Sequence, residues 1–179
     1  DVLEEIVVTG SRVITNGNES PSPVTMVQAE DLLKATPGNL QEALGAMPAF
    51  SGSRNTTSAP AVQGSQGGGN ASANMLNLRN LGTNRTLVLM DGNRIPPTTF
   101  NNAVDADIIP QMLVQRVDLV TGGVSAVYGS DAVAGVVNYV LNKNFNGIRF
   151  EGSVGQSERG DAKKWDIGIA AGTELFGGR

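Results

Sequence analysis

The sequence predicts an α+β fold: a small β-sheet with short helices and long loops, followed by one antiparallel hairpin of a different kind. Three observations carry this expectation. Two β-branched runs, 114–120 and 136–141, flank a turn of small residues; an Asp91-Gly92 pair divides two more extended runs; and two short apolar stretches at helical spacing lie between residues 29 and 47. Glycine supplies 23 of the 179 residues and aromatics only 4%, a balance that suits turns and thin strands better than a helical bundle.

Taken in chain order, residues 24–28 read as a strand after a Pro-punctuated loop, and residues 29–35 as a helix halted by Pro37. Asn39 reads as the N-cap of a second helix over 40–47, with Glu42 placed for a reciprocal bond and Pro48 as its stop. Leu32, Leu33, Leu40, Ala43 and Leu44 are expected to face the core. Thr86 to Met90 forms a strand, Asp91-Gly92 a two-residue turn, and Asn93 to Ile95 the start of the return strand. In the run 114–120, alternation places Val114, Arg116, Asp118 and Val120 on one face, with Gln115, Val117 and Leu119 on the other, and Gly122 and Gly123 end the strand. A second strand, 136–141, closes on Asn142 and Lys143.

Composition excludes several functions. There is no cysteine and no histidine, so disulfides, thiol chemistry, histidine acid–base work and Cys/His zinc sites are absent, and no enzyme, catalytic residue or cofactor is expected. The formal net charge of −4, with no dense lysine and arginine cluster, argues against nucleic acid. The longest apolar stretch, 132–141, is half of the ~20 residues a membrane helix needs. No basic, apolar leader opens the chain, so Asp1 reads as a mature or trimmed start.

Two long polar loops stand apart. Residues 50–73 are rich in glycine, serine and asparagine, yet match neither phosphate-loop pattern, so a functional or flexible loop is expected rather than a nucleotide site. Residues 96–106 form the other. Asp105 and Asp107 lack further acidic partners at calcium-loop spacing, and the expectation is that they cap the short helix that follows, with no metal.

Both ends of the chain differ from this middle. Near the start, Glu5 leads into Ile6, Val7, Val8 and Thr9, a short strand with two physical fates: an edge of its own fold, or addition to the sheet edge of another protein. At the other end, Ile148, Phe150, Gly152 and Val154, then Trp165, Ile167, Ile169 and Ala171, alternate with polar or small residues. Strands of about 9–11 residues with one apolar face are what a transmembrane β-barrel repeats, although an ordinary hairpin with one solvated face has the same period.

Several motifs together resemble TonB-dependent outer-membrane receptors. Tyr128, Gly129, Ala132, Ala134, Gly135, Val136, Val137 and Asn138 follow the "YGxxAxAGVVN" wording at the end of the plug domain of that family. Arg79, Arg85, Leu87, Val88, Leu89, Asp91, Gly92 and Arg94 follow its "RG…RxLVLxDGxR" pattern, with Asn80 where glycine is usual and Thr121 where arginine often stands. Glu5, Ile6, Val7, Val8 and Thr9 resemble its TonB box.

The resemblance implies a division into an N-terminal extension with the box (1–12), a plug domain with a small mixed β-sheet, short helices and long apical loops (13–145), and the first, incomplete strands of a transmembrane barrel (146–179). Two strands cannot close in lipid, so it also implies a longer polypeptide, whose remaining part, most of a barrel of about 22 strands, is a partner of this segment. The implied function is import of a scarce solute, such as a metal chelate, vitamin or saccharide, across the outer membrane. TonB, with its inner-membrane energising complex, would pull on the box from the periplasm. Outer-membrane lipid and the small-molecule substrate are the other partners. Candidate substrate contacts on the apical loops are Arg54, Asn55, Gln66, Thr98, Thr99, Phe100, Asn101 and Asn102; the asparagine, threonine, serine and glutamine side chains of these loops offer neutral donors and acceptors that suit an uncharged polar ligand better than a strongly anionic one. Arg12, Arg79 and Arg116 are the candidate contacts to barrel carboxylates, with surface solvation as the alternative for the last two. A free-standing periplasmic or surface binding module is the alternative to transport as a whole.

Overall fold

The computed structural model describes residues 23–36, 39–54, 73–99, 102–122, 124–156 and 163–173. Its first strand, β1 (Val24–Gln28), runs straight into α1 (Ala29–Ala35), which buries Ala29 and Leu32 and carries its acidic residues in the first turn and Lys34 in the last, as the helix dipole favours. Helix α2 (Leu40–Gly45) begins where Asn39 accepts hydrogen bonds from the Gln41 and Glu42 amides, at 2.8 and 3.3 Å. It ends two residues before the expected Met47, because Ala46 and Met47 turn towards the 3-10 turn that Pro48 opens.

Strands β2 (Thr86–Met90) and β3 (Asn93–Arg94) form the Asp-Gly hairpin, with Asp91 and Gly92 both at positive φ (49° and 76°) as a primed two-residue turn requires. Strand β4 (Val114–Thr121) then leads through Gly122 and the short helix α3 (Ser125–Tyr128) to β5 (Gly135–Leu141). The five strands lie in the order β1-β4-β5-β2-β3, with β2 parallel to β5 and the other pairs antiparallel. The sheet is therefore mixed, and β5 at its centre is buried on both faces over its first five residues.

One face of the sheet meets α1 and α2. Leu32, Leu40, Ala43, Leu44 and Phe50 pack there with Val88, Val117, Leu119, Val137 and Tyr139. Full burial of a leucine such as Leu40 or Leu44 contributes roughly 1.5–3 kcal/mol. The opposite face carries a smaller cluster, Leu87, Leu89, Val120, Val124, Ala132 and Val136. Val114 joins the helix-side cluster, not the face of Arg116 and Val120 expected from strict alternation. The cause is a bulge: Val114 pairs with Leu141 but Arg116 with Val140, so Gln115 is an extra residue and the phase flips.

The last two strands, β6 (Gly147–Gln156) and β7 (Lys163–Gly172), form a separate antiparallel hairpin. Its register sets Phe150 opposite Ile169, Gly152 opposite Ile167 and Val154 opposite Trp165, so the apolar halves of both strands share one face.

Candidate functional site

The two long polar loops rise from one place. Arg54 and Met75 exchange backbone hydrogen bonds of 3.0 and 2.9 Å, and Met75 also bridges Asp105, so the base of the first loop lies beside that of the second. Asn74, buried in the seam, donates its side-chain amide to both oxygens of Asp107 at 2.8 and 2.7 Å. Its own backbone amide goes to Asp105 at 3.1 Å. Asp105 caps the 3-10 turn Ala106–Ile108, as expected. Asp107 does not cap; it receives the Asn74 and Asn39 amides instead, linking the loop base to the start of α2. Among the described residues no group of three or more acidic, histidine or cysteine side chains stands together.

Thr98 and Thr99 have local duties. The Thr98 hydroxyl accepts the Asp105 amide at 2.7 Å, and the Thr99 hydroxyl bonds Ala103 in both directions at 2.9 Å, folding the loop on itself while Asn102 turns at φ 59°. Arg54 has its Nε buried in the seam, with no hydrogen-bond partner among the described residues. Asn55, Gln66, Phe100 and Asn101 lie outside the described residues, as do Glu5 to Thr9 and Arg12.

The arginines divide by environment. Arg79 is exposed, sits at φ 54°, and donates to the Ala134 carbonyl at 2.7 Å. Arg116 is mostly covered and donates from Nε to Asp118 at 3.0 Å, whose carboxylate is 1% exposed. Across the strands, Asp118 faces Asn138, and Asn138 accepts the Gly92 amide at 2.9 Å. A polar row thus crosses the smaller core from Arg116 to the Asp-Gly hairpin. Two polar residues in otherwise apolar central strands were the signal for it in the sequence. Arg94 grips Asp131 and, at 2.6 Å, the Tyr128 carbonyl, joining the "DGxR" and "YGxxA" motifs.

Tyr139 is fully buried, and its hydroxyl has no partner among the described residues. Burial, and then the nearby Asp107 charge, push its pKa well above the ordinary tyrosine value, so it stays neutral.

The hairpin β6–β7 turns two unlike faces outward and inward. Ile148, Phe150, Val154, Trp165, Ile167 and Ile169 are 66–91% exposed, a contiguous apolar face. On the other face Arg149 donates to the Met112 carbonyl at 2.9 Å and Ala170 is buried. Among the described residues no helix is long and apolar enough to cross a membrane.

A family model for the TonB-dependent receptor plug domain matches residues 16–136, more than half of the chain. Among solved structures, the ferric enterobactin receptor PfeA of Pseudomonas aeruginosa is similar at a TM-score of 0.58 and 20% identity, over 85% of this chain and 22% of that one. The siderophore receptor PirA of Acinetobacter baumannii gives 0.56 and 21% identity over 82% and 21%, and the ferric yersiniabactin uptake receptor FyuA of Yersinia pestis 0.51 and 18% over 84% and 22%. The chain spans about a fifth of the length of each solved relative, and the likeness to them is one of fold. With its mixed sheet, its paired loops and the family match over residues 16–136, the chain belongs to the TonB-dependent receptor plug-domain family.

Proposed function

We propose that this chain is the gate of a TonB-dependent outer-membrane transporter together with the first two strands of its wall, importing a scarce solute such as a metal chelate, vitamin or saccharide. The observation that carries this reading is the hairpin β6–β7, which shows an apolar face to the outside while Arg149, Gly168 and Ala170 on its other face meet the plug. Water makes that arrangement unfavourable; lipid outside and a plugged lumen inside make it stable.

The solved neighbours named above are, by their names, receptors for siderophores or ferric chelates, which supports that class first. Substrate would meet the two loops that share the Arg54–Met75–Asp105 seam. Because the Thr98 and Thr99 hydroxyls serve the loop itself, recognition there would fall to Arg54, Asn55, Gln66, Phe100, Asn101, Asn102 and the loop backbone. On the periplasmic side, the strand Glu5 to Thr9 would pair with an edge of TonB, and Arg12 would hold it down until substrate binds. Arg79 and Arg116 would meet barrel carboxylates, Arg79 from an exposed position and Arg116 as a second partner beside Asp118.

Proline at Val7 or Val8 removes a backbone donor that strand pairing needs. The expected result is uptake lost with substrate binding at the cell surface retained; undiminished uptake overturns the reading.

A further inference from the structure

The hairpin touches the plug at a narrow place. Met112, in the 3-10 turn Gln111–Leu113, receives the Arg149 guanidinium on its carbonyl, and its side chain fills the notch left by Gly168. A Cβ at residue 168 would stand closer to Met112 Sδ than real Cβ atoms approach anything, so the missing side chain on β7 is what admits the methionine. On each side of this contact the hairpin parts from the plug. One cavity of about 640 Å³ opens between β7 and the Asn39, Gln41 and Asp107 side, and another of about 650 Å³ between β6 and α1.

The turn that holds Met112 is braced from behind. The Gln111 side chain accepts the Leu40 amide at 3.1 Å, Gln41 donates to the Ala106 carbonyl at 2.6 Å, and the Asn142 amide reaches the Leu113 carbonyl at 2.7 Å. α2 and the exit of β5 therefore hold the same short segment that the wall strand grips. At the far end of the sheet, where β2 and β5 begin, Arg79, Leu81, Arg85 and Val133 stand exposed. Among the described residues β1 has no fully buried side chain and pairs with one strand, β4.

We infer that segment 105–113 is a fixed pin between gate and wall, held by Met112 in the Gly168 notch, and that the gate opens by rearranging around this pin rather than by leaving it. This rests on the transporter reading above, because it assigns the hairpin to the wall.

The 179 residues contain no cysteine, so Met112→Cys with Gly168→Cys introduces a single pair into them. The Met112 Cγ, which a cysteine sulfur would replace, lies 3.5 Å from a Cβ built at residue 168, within reach of a disulfide. In the full-length receptor, held by its barrel in a bilayer and pulled from its N-terminus in a force spectrometer, the first yielding event is expected to release the same length of chain, within a tenth, whether the pair is oxidised or reduced. A shorter first release in the oxidised form overturns the pin. If that double variant fails to assemble, the unmodified receptor serves: the amides of Ile109 and of 111–113 are expected to exchange with deuterium in step with β6 and β7, and exchange in step with β1 overturns the proposal. Neither readout measures uptake, so failure of the pin and failure of the transport reading are told apart by the Val7→Pro experiment.

Discussion

Gly135 lies directly against the Val120 carbonyl, so close that a Cβ there would overlap the oxygen and, from another side, the Leu78 side chain. Its φ of 140° adds a second reason for glycine. Gly135→Ala is expected to cost about 3 kcal/mol or more, since backbone on the Val120 side has no freedom to retreat. Chemical denaturation of the receptor's plug reads the loss, and a shift under ~1 kcal/mol would contradict the close packing.

Asn80 stands where the family usually has glycine, and it sits at φ 57° beside Arg79 at 54°. Asparagine is the side chain that tolerates this region best, and here Asn77 also donates to its oxygen at 3.1 Å. Asn80→Gly is therefore expected to be near neutral, within roughly 0.5 kcal/mol, whereas Asn80→Val costs about 1–2 kcal/mol. Equal costs for the two, measured by denaturation, would contradict this account.

Removing Arg116 leaves the Asp118 carboxylate in the core without its guanidinium. Arg116→Ala is expected to destabilise by about 3–5 kcal/mol, and the apolar double variant Arg116→Met, Asp118→Leu to recover most of it. The same single substitution at the exposed Arg79 should cost about 1 kcal/mol, the worth of one hydrogen bond. Melting curves of the three variants give the ranking.

Tyr139→Phe deletes a hydroxyl that has no partner among the described residues, so stability at neutral pH should hold or rise slightly. The sign with pH follows from the raised pKa. The native state keeps this proton longer than the unfolded chain, so the contribution is intact below about pH 10, the ordinary tyrosine value, and falls as pH rises beyond it. Alkaline titration of unfolding should show this loss in the native sequence and a smaller one in the phenylalanine variant; identical curves would place the titration elsewhere.

Arg94 and Asp131 are both about half exposed, so their charge attraction alone is worth little. Asp131→Asn is expected to cost under ~0.5 kcal/mol. Arg94→Ala also loses the bond to the Tyr128 carbonyl and should cost about 1–1.5 kcal/mol, visible as faster exchange of the Tyr128-Gly129 turn.

Local chemistry made much of this fold legible in the sequence. Strand β1, the Asn39 cap and the Asp91-Gly92 turn stand where side-chain type and spacing put them, because each depends on neighbours within a few residues. What escaped depends on distant partners. The Gln115 bulge arises from pairing with β5, so alternation within β4 set Val114 on the wrong face. Asp107 looked like a cap by position, yet Asn74, 33 residues away, claims it. The local duties of Thr98 and Thr99 also depend on the folded loop, where their hydroxyls bond Asp105 and Ala103. Arg94 was noticed as part of a motif without its target, which lies 37 residues on at Asp131.

The parallel pairing of β2 with β5 also fixes an order of events in time. Leu87 meets Val136 and Val88 meets Val137, partners about fifty positions apart, so the middle of the sheet cannot form until the chain has been delivered as far as Leu141. The Asp-Gly hairpin and both helices can form earlier from local contacts alone. Until that closure, the side of β2 that β5 will cover is an unpaired apolar edge, open to pairing with another chain over Thr86–Met90.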